Sequence, residues 1–462
     1  MGCAHTSWPC ARAPMAATTT STTSSGWSSL KRESISFHKP ILVCCIDGPA
    51  DFSASSSSAR SYSRRWYNPL RRRRPLDQSL EIVRHWVESG LPLSPRERFT
   101  VVSYNILGDS NASKHRDLYS NVPSLYMKWN HRKQVICEEL IGWNPDIICL
   151  QEVDKYFDLA NIMIKAGYIG SYKRRTGNAV DGCAMFWKAD KFRLLEGESI
   201  EFKGFGLRDN VAQLSVFENL SLEKTIGSDK EYERDSTTLR RLLQTCKAES
   251  RRVLIGNLHV LYNPSRGDVK LGQIRLLSLK AHILSKKWGN VPVVLAGDFN
   301  STPQSAIYKF LSSSKLNILL YDRRKLSGQR SCHPTQAFGV KRELRSPFIL
   351  MNSLLNFWTD EEVKVATGNA GCEVATHPLQ LNSSYATVEG SLRTRNSNGE
   401  PLATSYHSKF LGTVDYLWYS DGLVPVGVLD TLPIEILKRT GGLPYKKLGS
   451  DHLALVSEFG FA

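Results

Sequence analysis

The chain reads as an α/β protein, and three observations carry that reading. Short β-branched apolar runs recur along it, such as Val101-Val102 and Val291-Pro292-Val293-Val294-Leu295-Ala296. Between them lie longer stretches in which apolar residues return with a helical period. The runs also stop abruptly at polar residues, as strands do at the mouth of a sheet, and alternating strands and helices specify an α/β domain.

In chain order, residues 99–105 alternate into a strand, residues 126–142 follow a helical period, and residues 145–150 form a second buried strand. Further strands fit 182–187, 211–217, 253–259 and 291–296. A helix fits 270–287, with leucine or isoleucine at 271, 274, 277 and 284. Two polar stretches near 218–251 and 322–409, rich in charge or in Ser, Asn, Gly and Arg, are predicted to be surface insertions. No internal repeat is evident.

The 41% hydrophobic and 10% aromatic content provides a real core. A net charge of +16 favours polyanionic partners, namely nucleic acid, anionic membrane or phosphorylated small molecules. Residues 1–98 hold 14 Lys/Arg against 7 Asp/Glu, so +7 of that charge precedes the predicted domain. The ten cysteines form no Cys-x-x-Cys pair or zinc spacing and suit a reducing compartment. No apolar run is long enough for a transmembrane segment.

Residues 1–97 are predicted to be a disordered, basic, Ser/Arg-rich extension. Three functional readings stand beside that one. The acid-poor start resembles an organelle transit peptide, and the six arginines between Arg64 and Arg74 resemble a nuclear-import or nucleic-acid patch. Met1-Gly2-Cys3-Ala4-His5-Thr6 matches a myristoylation pattern. The expected location is cytoplasm or nucleus, with an organelle as the alternative.

The chemistry lies at the strand ends. Gly297-Asp298-Phe299-Asn300 closes one strand, and alternation places Asp298 and Asn300 on one face. Asn105, Glu152, His259 (with Asn263 just beyond), Asp415 and Asp451-His452 stand at five more apolar runs. Each such residue alone is ordinarily a capped turn or a satisfied core group. Buried together they would cost several kcal/mol unless paired or bound to a metal, so convergence on one site explains them better. Glu152 with Asn105 offers a hard oxygen site suited to Mg²⁺ and not zinc. Asp415 is typed to orient an imidazole, Asp298 to position a water, and Asn300 to donate to developing charge. No Ser or Cys nucleophile with a partner base is present, so metal-assisted attack of water on a phosphorus ester fits.

In this order, Asn105, Gln151-Glu152, His259, Gly297-Asp298-Phe299-Asn300, Asp415-Tyr416 and Ser450-Asp451-His452 resemble the endonuclease/exonuclease/phosphatase superfamily. Ser103-Tyr104-Asn105-Ile106-Leu107, Leu150-Gln151-Glu152-Val153-Asp154, His259-Val260-Leu261-Tyr262-Asn263-Pro264, Asp268-Val269-Lys270-Leu271-Gly272-Gln273 and Phe410-Leu411-Gly412-Thr413-Val414-Asp415-Tyr416 resemble its carbon catabolite repressor type of deadenylase. The likeness runs from residue 98 to 462, apart from the two insertions. It implies a four-layer sandwich of two packed mixed β-sheets flanked by helices, and Mg²⁺-dependent 3′→5′ removal of adenylates, with Mn²⁺ as a substitute metal.

Carried over by position, Glu152 is the main metal ligand, assisted by Asn105 and Asp451. Asp298 positions the water, Asn300 and His259 contact the scissile phosphate, and His452 pairs with Asp415. Phe410 and Pro264 are expected to sandwich adenine, with Asn263 beside them in the substrate site. The expected partner is single-stranded RNA with a poly(A) tail. A deadenylation or mRNA-decay complex is a further candidate partner, although residues 1–98 contain no Leu-x-x-Leu-x-Leu repeat for docking on it; the repeat-less branch, with its nocturnin- and angel-like members, is the alternative affiliation. The rivals to a poly(A) exoribonuclease are a phosphatase for a nucleotide or RNA-end phosphate, and a non-catalytic RNA-binding adaptor.

Overall fold

The computed structural model describes residues 80–90, 97–220, 251–337 and 358–462. The targeting and lipidation readings, and residues 221–250, lie outside the described residues.

The described strands are, in chain order, β1 (Trp86–Glu88), β2 (Arg98–Asn105), β3 (Ile147–Val153), β4 (Tyr168–Arg174), β5 (Gly182–Lys188) and β6 (Phe192–Glu201). They continue with β7 (Val211–Asn219), β8 (Arg252–His259), β9 (Val293–Asp298), β10 (Lys315–Asn317), β11 (Val374–Thr376) and β12 (Asn382–Ser383). The last are β13 (Ser405–His407), β14 (Phe410–Gly412), β15 (Asp415–Tyr419), β16 (Leu423–Leu429) and β17 (Leu455–Phe461). One sheet has the order β1-β16-β17-β2-β3-β5-β4 and the other β12-β15-β9-β8-β7-β6. Each is mixed, with one parallel pair near its middle, β2/β3 and β8/β9. Parallel neighbours need a long crossover, and helices Trp129–Trp143 and Gly267–Lys287 lie within those two connections.

The two-residue period of the strands builds the layers. In β9, Val294 and Ala296 pack with Val101, Cys149 and Met185 of the opposite sheet, whereas Val293 and Leu295 join Leu271, Ile274 and Leu277 of helix Gly267–Lys287. On the far side, Val102, Ile148 and Phe186 pack against Ile136, Leu140 and Leu159 of helices Trp129–Trp143 and Tyr156–Lys165. The expected four-layer α/β sandwich is therefore the fold.

Between the sheets the core turns polar toward one end. Asn257 on β8 donates through Nδ2 to the carbonyls of Leu150 (3.2 Å) and Ala184 (2.9 Å) on the other sheet, and its Oδ1 accepts from Gln151 Nε2 at 2.9 Å. Buried amides satisfied in this way lock the register of the two sheets. At Gly297 a Cβ would stand 2.1 Å from the Leu258 carbonyl, so only glycine lets β9 lie this close to β8.

Three expectations need correction. β4 and β6 are edge strands with mostly exposed or half-exposed side chains, so no apolar run announced them. The folded chain begins before residue 98, because β1 pairs with β16 and Arg84 donates to the carbonyls of Leu429 (3.1 Å), Asp430 (2.8 Å) and Ala454 (2.8 Å). The described part of 322–409 is no surface excursion, since it supplies β11 and β12 and buries Tyr385, Arg395, Glu400 and Thr404. Its polar composition serves internal hydrogen bonding. Arg395 pairs with Asp430 at 2.9 Å, and Tyr308 donates to Glu400 at 2.7 Å. No helix among the described residues is long and apolar enough to cross a membrane.

Burial pushes Glu400, whose side chain is fully covered, up to about 7 from an ordinary value of 4.5. The folded state therefore binds a proton more tightly than the unfolded chain. Its contribution is fully present below about pH 4.5 and is lost as pH rises through about 7. Glu400→Gln should flatten the decline of urea-unfolding free energy across that window by on the order of 2–3 kcal/mol. Parallel pH profiles for the two proteins would overturn this assignment.

Candidate active site

The intersheet face changes from apolar to polar at one end of the strands. Along β2 it runs Phe99, Val101, Ser103, Asn105; along β8 Val253, Ile255, Asn257, His259; along β9 Val294, Ala296, Asp298. Antiparallel β15 brings Asp415 to the same end, directly opposite Asp298, and His259 pairs with Asp298 from the other side. Register thus assembles His259, Asp298 and Asp415, and the packing of the two sheets brings Asn105 against them.

Asp298 is the hub and is 2% exposed. Its Oδ2 accepts from Asn105 Nδ2 at 3.1 Å and lies 3.4 Å from His259 Nε2 and 4.0 Å from His452 Nε2. Oδ1 accepts from the Asn300 backbone N–H at 2.8 Å. His452 Nδ1 bonds Asp415 Oδ2 at 2.8 Å, and Thr404 donates to that same oxygen at 2.6 Å. Burial pulls the His452 imidazole down, but Asp415, then Asp451 and Asp298, outweigh it and hold it well above the ordinary histidine range. The sequence pairing of His452 with Asp415 is thus realised, with Nε2 turned toward Asp298.

Glu152 has a left-handed backbone, φ +58°, which takes its side chain out of the alternation of β3. Its Oε1 accepts from Asn105 Nδ2 (3.1 Å), and its Oε2 from Asn111 Nδ2 (2.8 Å) and the Gly108 N–H (3.2 Å). Asp451 accepts from Tyr119 OH at 2.8 Å. Burial first, then Asp451 and Glu152, push the Tyr119 phenol well up, so both carboxylates flank that ring.

Carboxylate oxygens without thiolates suit a hard divalent cation, and Glu152 and Asp451 keep oxygen lone pairs for one. Asn105, expected to assist Glu152 at the metal, stands between the two acids. Its Oδ1 accepts from the Leu107 N–H at 3.1 Å and its NH₂ faces the acids, so it orients Glu152 and Asp298. Among the described residues, the three acid or histidine donors mutually within 4.8 Å belong to Asp298, Asp415 and His452. Because His452 Nδ1 is engaged by Asp415, this cluster is a histidine–carboxylate pair beside Asp298 rather than a closed metal cage.

Asn300 also departs from expectation. β9 stops at Asp298, and Asn300 lies beyond it at φ +47°, placed by a left-handed turn and not by alternation. Its Nδ2 donates to the Val260 carbonyl at 3.0 Å, which leaves one N–H for a ligand, and its Oδ1 accepts from Gln329 Nε2 at 2.9 Å. Behind it the fully buried Lys270 donates to the Asn300 carbonyl (2.7 Å), the Tyr262 carbonyl (3.2 Å) and Gln329 Oε1. Burial drives the Lys270 ammonium well down, with Asp298 opposing.

The rim is looser. Phe410 is half-buried at the start of β14. Asn263 is exposed, and its Oδ1 accepts from the Ser265 N–H at 2.9 Å, closing the turn that carries Pro264. Burial pushes up the phenol of Tyr262 on the same turn; Lys409 opposes this, and Asp298 and Asp451 reinforce it. Asn111, Tyr119, Thr404 and Gln329 carried no sequence signal, because none of them stands at the end of an apolar strand run. Lys270 was visible only as part of a motif.

Residues 102–452 match the Endonuclease/Exonuclease/phosphatase family. Carbon catabolite repressor protein 4 homolog 3 of Arabidopsis thaliana is 58% identical over 445 residues, 95% of this chain and 93% of that one. Human protein angel homolog 1 is 28% identical over 444 residues, 79% of this chain and 63% of its own. Among solved structures, ANGEL2, described as a 2′,3′-cyclic phosphatase, aligns with a TM-score of 0.61 at 29% identity, over 82% of this chain and 98% of that one. A histidine–carboxylate pair turned on Asp298, with Glu152 and Asp451 alongside, is thus set in a chain that belongs to the endonuclease/exonuclease/phosphatase family, among its carbon catabolite repressor 4 relatives.

Proposed function

We propose that this chain is a Mg²⁺-dependent 3′→5′ exoribonuclease that shortens poly(A) and releases AMP. The observation that carries the reading is the hairpin of β13 and β14. It bears the half-exposed aromatic Phe410 and is bridged, through Ser405, to His452 of the catalytic cluster. A base platform and a phosphoryl-transfer site on one hairpin suit a nucleotide at a chain end. The identity with carbon catabolite repressor protein 4 homolog 3 supports the same class.

In this mechanism Asp298 orients the attacking water and takes its proton. Asn105 fixes the Asp298 carboxylate, and the Asn300 N–H fixes its other oxygen. His259 Nε2 and the charged His452, held by Asp415, face the same oxygen of Asp298 and donate to the phosphoryl oxygens as negative charge develops. Glu152 and Asp451 would hold the divalent cation, which supplies charge neutralisation at the phosphorus ester.

A second reading rests on the alignment with ANGEL2, namely opening of a 2′,3′-cyclic phosphate at an RNA end by the same residues. The two differ in product. Purified protein with Mg²⁺ on a 5′-labelled A-tailed RNA should give a ladder and free AMP, with oligo(A) preferred over oligo(U). Intact RNA with its cyclic end opened would replace the first reading by the second.

Glu152→Ala or Asp298→Ala should lower the rate on the order of 10³-fold or more with the melting transition retained. Near-wild-type turnover in either variant would remove these residues from the site. Chelation by EDTA should abolish turnover, and added Mg²⁺ should restore it; activity that persists in EDTA would exclude the divalent-cation requirement. Phe410→Ala should narrow the oligo(A)-to-oligo(U) ratio on the order of tenfold, as loss of base stacking requires. An unchanged ratio would end the stacking role.

A further inference from the structure

His407, which no motif singled out, occupies the middle strand of the rim. β13 pairs on one side with β14, where His407 is the direct partner of Phe410. On its other side it meets the catalytic segment: Ser405 bridges His452, and the Tyr406 N–H donates to the Asp451 carbonyl at 2.9 Å. The imidazole lies 6.0 Å from the Phe410 ring at 34°, and 6.4 Å from the Tyr119 ring edge-on. Tyr119 is the phenol that holds Asp451.

Although the residue is only 7% exposed, one ring nitrogen is left unused. Nδ1 accepts from the Lys409 backbone N–H at 3.3 Å, which puts the proton of the neutral ring on Nε2. Nε2 has no hydrogen-bond partner among the described residues, yet it is not sealed from solvent. A single ring N–H between the Phe410 and Tyr119 rings suits a hydroxyl acceptor.

A nucleotide whose base lies on Phe410 and whose phosphate lies at Asp298 must carry its sugar between them, over β13. We infer that His407 is a specificity-determining residue whose Nε2–H donates to a ribose hydroxyl of that nucleotide, so that the site distinguishes ribose from deoxyribose. The inference rests on the exonuclease reading and names the part of the substrate that the rim recognises.

The test measures kcat/KM of the full chain with Mg²⁺ on three oligo(A) substrates that end in an unmodified, a 2′-deoxy or a 3′-deoxy nucleotide. The wild type should favour the unmodified end on the order of tenfold over at least one deoxy end, the worth of one neutral hydrogen bond. Which deoxy end suffers identifies the hydroxyl. H407F keeps the ring and loses the donor, and should bring the ratio to within about twofold. H407Q restores a donor at the reach of Nε2 and should recover the preference. Equal wild-type rates on all ends would overturn the inference without any variant, as would an H407F protein that keeps the full preference or an H407Q protein that loses it. A wild type inert on every oligo(A) but active on cyclic phosphate ends would overturn the exonuclease reading itself.

Discussion

Everything at this site follows from holding carboxylates together out of water. Asp298, Asp415 and Asp451 are 2%, 1% and 5% exposed, and Glu152 shares Asn105 with Asp298. Like charges at such range repel strongly in a low dielectric, and each unpaired one costs several kcal/mol. The fold answers with neutral donors, Asn105, Asn111, Tyr119 and Thr404, and with the His452 imidazole paired to Asp415. The excess negative charge that remains suits a divalent cation. The same donors keep the acids from relaxing when the site is empty, so they are oriented before substrate arrives.

Two wholly buried cations support this arrangement without neutralising it directly. Arg132 donates to the carbonyls of Ile106 (3.0 Å) and Leu107 (2.7 Å), clamping the loop after β2. Lys270 does the same for the Asn300 and Tyr262 carbonyls. Each clamp lies next to a non-glycine residue in a left-handed conformation, Leu107 at φ +54° and Asn300 at φ +47°. Such backbone is unfavourable by of order 1–3 kcal/mol per residue and persists only where surroundings enforce it. The cations are therefore best understood as backbone restraints that turn the chain sharply at strand ends.

These physical roles explain what could be read from sequence. Asp298, His259, Asp415 and Asn105 were legible because strand alternation, a local property, puts them on the intersheet face where the apolar pattern stops. Glu152 and Asn300 were legible only as residue types, since their aim depends on left-handed turns that apolar periodicity does not encode. β4 and β6 escaped because edge strands need no apolar run, and 358–409 was misjudged because buried polar networks and exposed loops share a composition. The bonds of Asn105 to both acids depend on amide orientation, which no pattern of residues can specify. His407 was invisible because its neighbours Phe410 and Tyr119 come together only through β13 and the loop after β2.

The division between rigid centre and open rim bears on how one family can serve different phosphate esters. The central residues are locked by β-register and by buried hydrogen bonds, so on the proposed mechanism they would present the same acid and the same donors to any phosphorus centre. They have no means of telling a diester at the end of a tail from a cyclic phosphate. Discrimination must come from groups that touch base and sugar, and those lie on the short hairpin β13–β14 and the turn that carries Asn263 and Pro264. Both are small elements outside the two main sheets, although β13 is tied to the acid cluster through its backbone at Ser405 and Tyr406. On the proposed exonuclease reading, Phe410 and His407, adjacent across that hairpin, are the residues to which the choice of substrate would fall.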